Sequence, residues 1–212
     1  MRAAFFTPSL RENDAMKLAY SPASPYVRKA VACAIARNVT LETWTVGTTD
    51  PALLPVNPLS KVPTLVLDDG TSLFDSPVIC EYLDSLGSAP ALFPPKGAAR
   101  WTALRQQALA DGILDATQPR RREVALPLDG GRKDYIATQQ AKVTRSLAAL
   151  EAEAAGLGAL TTIGEIAIGC ALGYLDFRFA HEPWRPGHPK LEAWYAKVVA
   201  LPPLAQTMPF VP

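Results

Sequence analysis

Two short stretches carry residues whose types and spacing suit chemistry at a helix end. Ser24 stands directly before Pro25, at the head of a run in which Val27, Val31, Ala34 and Ile35 recur at helical spacing. Serine as N-cap followed by proline at the first helical position is a helix start. A hydroxyl there lies beside the first helical N–H groups, so hydrogen bonding and the helix dipole favour an anion at the same point. A plain N-cap role for Ser24 stands beside that reading. Asp75-Ser76, followed by Pro77, opens a second apolar stripe of Val78, Ile79, Tyr82, Leu83 and Leu86 and reads as another cap. Between the two lies Lys61-Val62-Pro63, a Val-Pro step just before an apolar run.

The elements that must position these residues follow from periodicity. Lys17–Tyr20 is a short strand, the segment Ser21-Pro22-Ala23-Ser24-Pro25 a turn, and the first helix runs to about Arg37 with Asn38 as its stop. Leu41–Val46 alternates as a second strand. Residues 47–60 read as loop with at most a short helix. Thr64–Leu67 and Thr71–Phe74 flank Asp68-Asp69-Gly70 and predict a hairpin. The first helix then crosses between parallel strands in a βαβ unit. Ser88–Lys96, rich in proline, marks a domain boundary. Beyond it the spacing predicts helices only: Trp101–Leu126, Asp134–Ala155, Ile163–Phe179 and Pro189–Val199, with Pro202-Pro203 as terminator. The third of these is apolar nearly all round and reads as the buried centre of its domain. Thr162 and Glu165 have capping-box spacing at its start. The organisation expected is therefore an extension (1–15), a small α/β domain (16–87), a linker (88–96) and an all-helical domain (97–212).

Composition removes several classes of function. A net charge of +1 gives no broad electrostatic case for nucleic acid or membrane partners. Arg120-Arg121-Arg122 is the only dense basic run, and it reads as a solvated helix face. The three cysteines, Cys33, Cys80 and Cys170, are far apart and lie in apolar helical patterns. They read as buried small hydrophobes in a reducing, cytoplasmic compartment. His181 and His188 lack paired-ligand spacing, so no metal is expected. The glycines form no phosphate-binding run. No apolar stretch approaches the roughly 20 residues that span a bilayer.

The same residues resemble the glutathione S-transferases, and most closely a bacterial group whose N-terminal motif reads S-P-[FY]-V-R-K, here Ser24–Lys29. Asn57–Pro63 (NPLSKVP), Phe74–Pro77 (FDSP), Ala108–Ala116 (ALADGILDA) and Ile163–Tyr174 also match. Ser60 stands where the family usually has glycine, and Glu165 where it has aspartate. The resemblance implies a thioredoxin-like domain followed by a helical one, with glutathione as co-substrate. It implies a homodimer, and a small, hydrophobic electrophile bound between the domains beside the Ser21–Ala23 loop. It places Ser24 at the thiol-activating position; Ser21 in the same loop is the runner-up hydroxyl, and Arg28, one turn on, either adds positive charge near the thiolate or is an exposed helix arginine. Val62-Pro63 resembles a cis-proline step that leaves the Val62 N–H and C=O for the peptide. Asp75 and Ser76 would hold the γ-glutamyl ammonium and carboxylate, Lys61 the glycyl carboxylate, and Asp111 would reach the ammonium across the dimer. Isomerase, lyase or peroxidase chemistry on the same scaffold, and a non-catalytic interaction protein, are the competing readings.

Overall fold

A computed structural model of the chain describes residues 16–47 and 50–211. The expected N-terminal extension lies outside the described residues. Strand β1 (Lys17–Tyr20) leads through the Ser21–Ser24 turn into α1 (Pro25–Arg37), which returns to β2 (Glu42–Thr45). β1 and β2 pair in parallel from Lys17↔Glu42 to Tyr20↔Thr45, so α1 is the expected crossover. Asn38 ends α1 at φ 58, its N–H returning to the Ala34 and Ile35 carbonyls. A single 3-10 turn, Pro51–Leu53, interrupts the loop after β2.

β3 (Leu65–Val66) runs antiparallel to β1, and β4 (Ser72–Leu73) pairs with β3, giving the order β2-β1-β3-β4. The two hairpin strands are shorter than their apolar runs. Pairing nevertheless continues past their ends, where Ala19 N–H reaches the Thr64 carbonyl (2.8 Å) and Leu67 N–H the Thr71 carbonyl (2.8 Å). α2 (Ser76–Leu86) follows, capped by Asp75.

After an irregular stretch come α3 (Gly97–Glu123), α4 (Gly130–Glu153), α5 (Ile163–Arg178), α6 (Pro189–Val198) and the single turn α7 (Pro202–Ala205). α5 is buried at every residue from Ile163 to Leu175, as its all-round apolar pattern requires. It packs on α3 and α1. Its start is held by the reciprocal capping box: Glu165 N–H donates to Thr162 Oγ1 (3.4 Å), and the Glu165 carboxylate accepts from Thr162 N–H (3.2 Å). At Gly164 a Cβ would sit 2.7 Å from the Ala103 carbonyl, so glycine is what lets α5 approach α3.

Several helix boundaries differ from those the sequence suggests, most of all at the starts of α3 and α4 and at α7. α3 starts at Gly97 rather than Trp101, because Gly97–Arg100 carries no apolar stripe to mark it. α4 starts at Gly130 because Asp129 caps it, accepting from Arg132 N–H at 2.8 Å. Pro202-Pro203 opens α7 instead of merely stopping α6, and fully buried Leu204 packs over Gly169 of α5. No helix among the described residues is long and apolar enough to cross a membrane.

The irregular stretch after α2 is tied down by a buried charge. Asp84 meets Arg37 Nε at 2.8 Å, and accepts from the Leu92 and Phe93 N–H groups at 2.7 and 3.2 Å. Arg37 also donates to the Asp84 carbonyl (2.9 Å). Breaking a buried pair by removing one partner costs about 3–5 kcal/mol. Asp84→Ala is therefore expected to lower the unfolding free energy by about that amount in urea titration, against less than about 1 kcal/mol for the exposed Lys17–Glu42 pair.

Candidate functional site

A cavity of about 650 Å3 opens between the sheet-bearing half and the helical half. One wall comes from three loops: the β1–α1 turn with Ser21 and Ser24, the segment 59–63, and Phe74-Asp75. The other comes from the C-terminal ends of α3 and α5.

Ser24 has extended backbone (φ −85, ψ 119), and its Oγ accepts from Val27 N–H at 3.3 Å. That bond uses an oxygen lone pair, so capping leaves the hydroxyl proton available to a second acceptor. The two roles weighed for Ser24 are thus compatible. Ser21 stands on the same wall, and its carbonyl receives the Ser24 N–H at 3.0 Å.

The segment before β3 is held by one buried side chain. Asn57 Nδ2 donates to Thr64 Oγ1 (2.9 Å) and to the Lys61 carbonyl (3.2 Å), while Oδ1 accepts from Leu59 N–H (2.9 Å). Thr64 Oγ1 closes the ring onto the Lys61 carbonyl at 2.8 Å. This frame fixes Val62-Pro63, whose peptide bond is cis. Among the described residues the Val62 N–H and C=O have no partner, although the residue is buried and lines the cavity. Ser60 takes φ +48, the left-handed region where glycine is the usual occupant. The serine therefore keeps a glycine-like backbone rather than diverting it. Lys61 is exposed on the cavity wall.

Asp75 lines the cavity and accepts from Ser76 N–H, so that N–H is engaged by its own cap. Ser76 lies behind the wall, its hydroxyl buried and without a partner. Buried hydroxyls are almost always paired, so this oxygen marks unfilled hydrogen-bonding capacity beside Asp75.

Two expected site residues lie elsewhere. Arg28 is buried, neither exposed nor on the cavity wall; its Nη2 donates to the Leu204 carbonyl at 3.1 Å and its Nε to Thr207 Oγ1 at 3.3 Å. Asp111 pairs with the Lys29 ammonium at 2.6 and 2.7 Å and is likewise outside the lining.

Sequence reasoning missed other members of the site. Tyr26 lines the cavity and donates its hydroxyl to Asp115. Burial and that bond push the phenol far above its ordinary pKa, so it keeps its proton and stays committed to Asp115. The triple-arginine run is not one solvated face. Arg120 is buried, paired with Glu182 at 2.6 Å and set over the Phe179 ring at 4.8 Å. Arg121 and Arg122 turn to the cavity, joined by Tyr174 and Arg178 of α5. A one-dimensional charge run carries no sign of which members face a cavity formed by a distant helix. Asn57 had a signal in the Asn-Pro turn, but its burial is a tertiary fact.

The chain matches the glutathione S-transferase N-terminal domain over residues 23–86 and the glutathione S-transferase C-terminal domain over residues 106–197. It belongs to the glutathione S-transferase family. Among its glutathione S-transferase relatives is the uncharacterized GST-like protein YibF of Escherichia coli, 36% identical over 200 residues, which are 92% of this chain and 98% of that protein. A solved glutathione transferase family member from Pseudomonas fluorescens, with bound glutathione, is 40% identical with TM-score 0.83 over 93% of this chain and all of that one. A glutathione S-transferase from Methylobacillus flagellatus, also with glutathione bound, is 34% identical with TM-score 0.86 over 92% of this chain and all of that one.

In this family member the protein's own thiols stand apart from the cavity. Cys33, Cys80 and Cys170 are all buried. Burial pushes the Cys170 thiol up to about 11. The interaction with Cys80, then burial, pushes Cys33 well above the ordinary thiol range. The native protein is expected to leave a disulfide reagent unconsumed at pH 8 on the minutes scale and to react at three thiols once denatured. Fast reaction of a native thiol would contradict the burial.

Proposed function

We propose that the protein is a glutathione transferase in which Ser24 activates the peptide's thiol for attack on a small electrophile. The observation that carries this reading is the Val62 backbone pair left open on the wall that also holds Ser24 and Asp75. The glutathione-bound relatives, and the resemblance of Ser24–Lys29 to an S-P-[FY]-V-R-K motif, support it.

In this reading the Val62 N–H and C=O pair with the cysteinyl backbone of glutathione like one added strand. Lys61 takes the glycyl carboxylate. Asp75 takes the γ-glutamyl ammonium, and Ser76, behind it, is the group proposed for the γ-glutamyl carboxylate once its buried hydroxyl is reached. Arg28 and Asp111 drop out, since their side chains are committed elsewhere. The sulfur is then handed to Ser24, whose free O–H donates to it.

A free thiol has a pKa near 8.5, so only a few per cent is ionised at neutral pH. Lowering it by about two units takes about 2.7 kcal/mol of preferential stabilisation of the thiolate. The Ser24 hydroxyl and the α1 N-terminus act together on that anion. In the reaction a sulfur–carbon bond forms, the leaving group departs with its electron pair, and the thiol proton passes to solvent. The cytoplasmic homodimer implied by the resemblance belongs to this proposal as well.

Calorimetric titration with glutathione comes first; no binding would contradict the whole reading. Ser24→Ala should then lower kcat/KM toward chlorodinitrobenzene by about ten- to hundredfold, with the glutathione Kd held within about threefold. It should cost about 1 kcal/mol of stability as a lost cap. Equal rates in Ser24→Ala and the parent would transfer the role to Ser21, for which Ser21→Ala is the matching test.

A further inference from the structure

Resting on the transferase reading above, we propose that the second substrate carries a carboxylate, seated on Arg121, Arg122 and Arg178. The three arginines come from the ends of two helices, α3 and α5, and line one cavity. Basic residues suit helix C-termini because of the dipole. That explains the residue type at each end separately. It does not explain why both ends present their cations to the same space.

None of the three has a carboxylate partner among the described residues, whereas neighbouring arginines do. Arg120 pairs with Glu182 at 2.6 Å and Arg132 with Glu123 at 2.8 Å. Arg178 lies over the Phe177 ring at 4.1 Å, and its Nε is buried without an acceptor. A stacked guanidinium is held in orientation, and its planar fork matches a carboxylate. Tyr174 is buried between the Arg121 and Arg178 guanidiniums, and burial keeps its hydroxyl protonated. It adds a neutral donor to the same wall.

The cavity's acids do not neutralise this group. Asp115, on the same wall, forms no ion pair with them and accepts from the Tyr26 hydroxyl, and Asp75 belongs to the opposite wall. In the transferase reading glutathione lies along the sheet side, with Lys61 for its glycyl carboxylate. The arginines of the helical wall have no carboxylate partner among the described residues, and they line the space left for the second substrate.

The test uses a matched pair, chloronitrobenzoate and its methyl ester, with glutathione. Each catalysed rate is divided by its own uncatalysed rate to remove the difference in intrinsic reactivity. The expected result is a preference of about tenfold or more for the acid at low salt, shrinking as sodium chloride is raised. Arg121→Gln/Arg178→Gln should remove most of it. Arg121→Gln/Arg122→Gln, at two exposed positions, serves the same purpose if the Arg178 variant fails to fold. Calorimetry with unreactive nitrobenzoate and its methyl ester reads docking without turnover. Equal corrected rates, or a preference unchanged in a folded variant, would overturn the proposal. If glutathione fails to bind and neither electrophile is turned over, the transferase reading fails. Preferential binding of nitrobenzoate, lost in the variant, would then still support the anion seat, and its absence would overturn it.

Discussion

A fully buried ammonium must be paired, and Lys29 is fully buried. The carboxylate that meets it, Asp111, belongs to α3 in the other half of the molecule. Removing either partner would leave a charge uncompensated in the interior, so the pair fixes how α1 sits against the helical half. Arg28, one residue earlier, works the same way through the Leu204 carbonyl of α7. α1 is thus held by its middle, while its N-terminus remains at the cavity.

That arrangement gives one helix two tasks. Its buried face joins the halves, and its exposed start offers Ser24. The sheet side of the cavity is built from backbone and short polar groups: the open Val62 peptide, the Ser24 hydroxyl, and Asp75 with Ser76 behind it. The helical side presents three arginines and one buried phenol, with Asp115, Gln118 and Pro119 beside them. The two walls are chemically unlike, which suits a site where a peptide and a different molecule meet. Because the Lys29–Asp111 pair sets the position of α1 against α3, it also sets the position of Ser24 against that cationic wall.

The elements governed by local rules were legible in the sequence. Ser24-Pro25, Asn38, Asp75 and the Thr162–Glu165 box are capping signals whose physics is contained within a few residues. The all-round apolar α5 announced its own burial, and the hairpin followed from two short runs flanking the Asp68-Asp69-Gly70 turn. The open Val62-Pro63 step was expected from the family pattern, not from propensity. What was not legible was long-range. Nothing in a linear pattern reveals that Asp111 pairs with Lys29 or that Arg28 reaches the Leu204 carbonyl. Nor does such a pattern reveal that Arg121 and Arg122, exposed as expected, share a cavity with Tyr174 and Arg178, more than fifty residues on. α4 starts before its apolar spacing begins because Asp129 caps it there.

The proposed chemistry depends on one electrostatic effect: a hydroxyl and a helix N-terminus lower the pKa of a bound thiol. Titrating the ultraviolet thiolate absorbance of the glutathione complex against pH measures it directly. The prediction is half-ionisation about two units below the free thiol's value near 8.5, moving back toward it in Ser24→Ala. A bound thiol that ionises at the same pH as free glutathione would contradict the account.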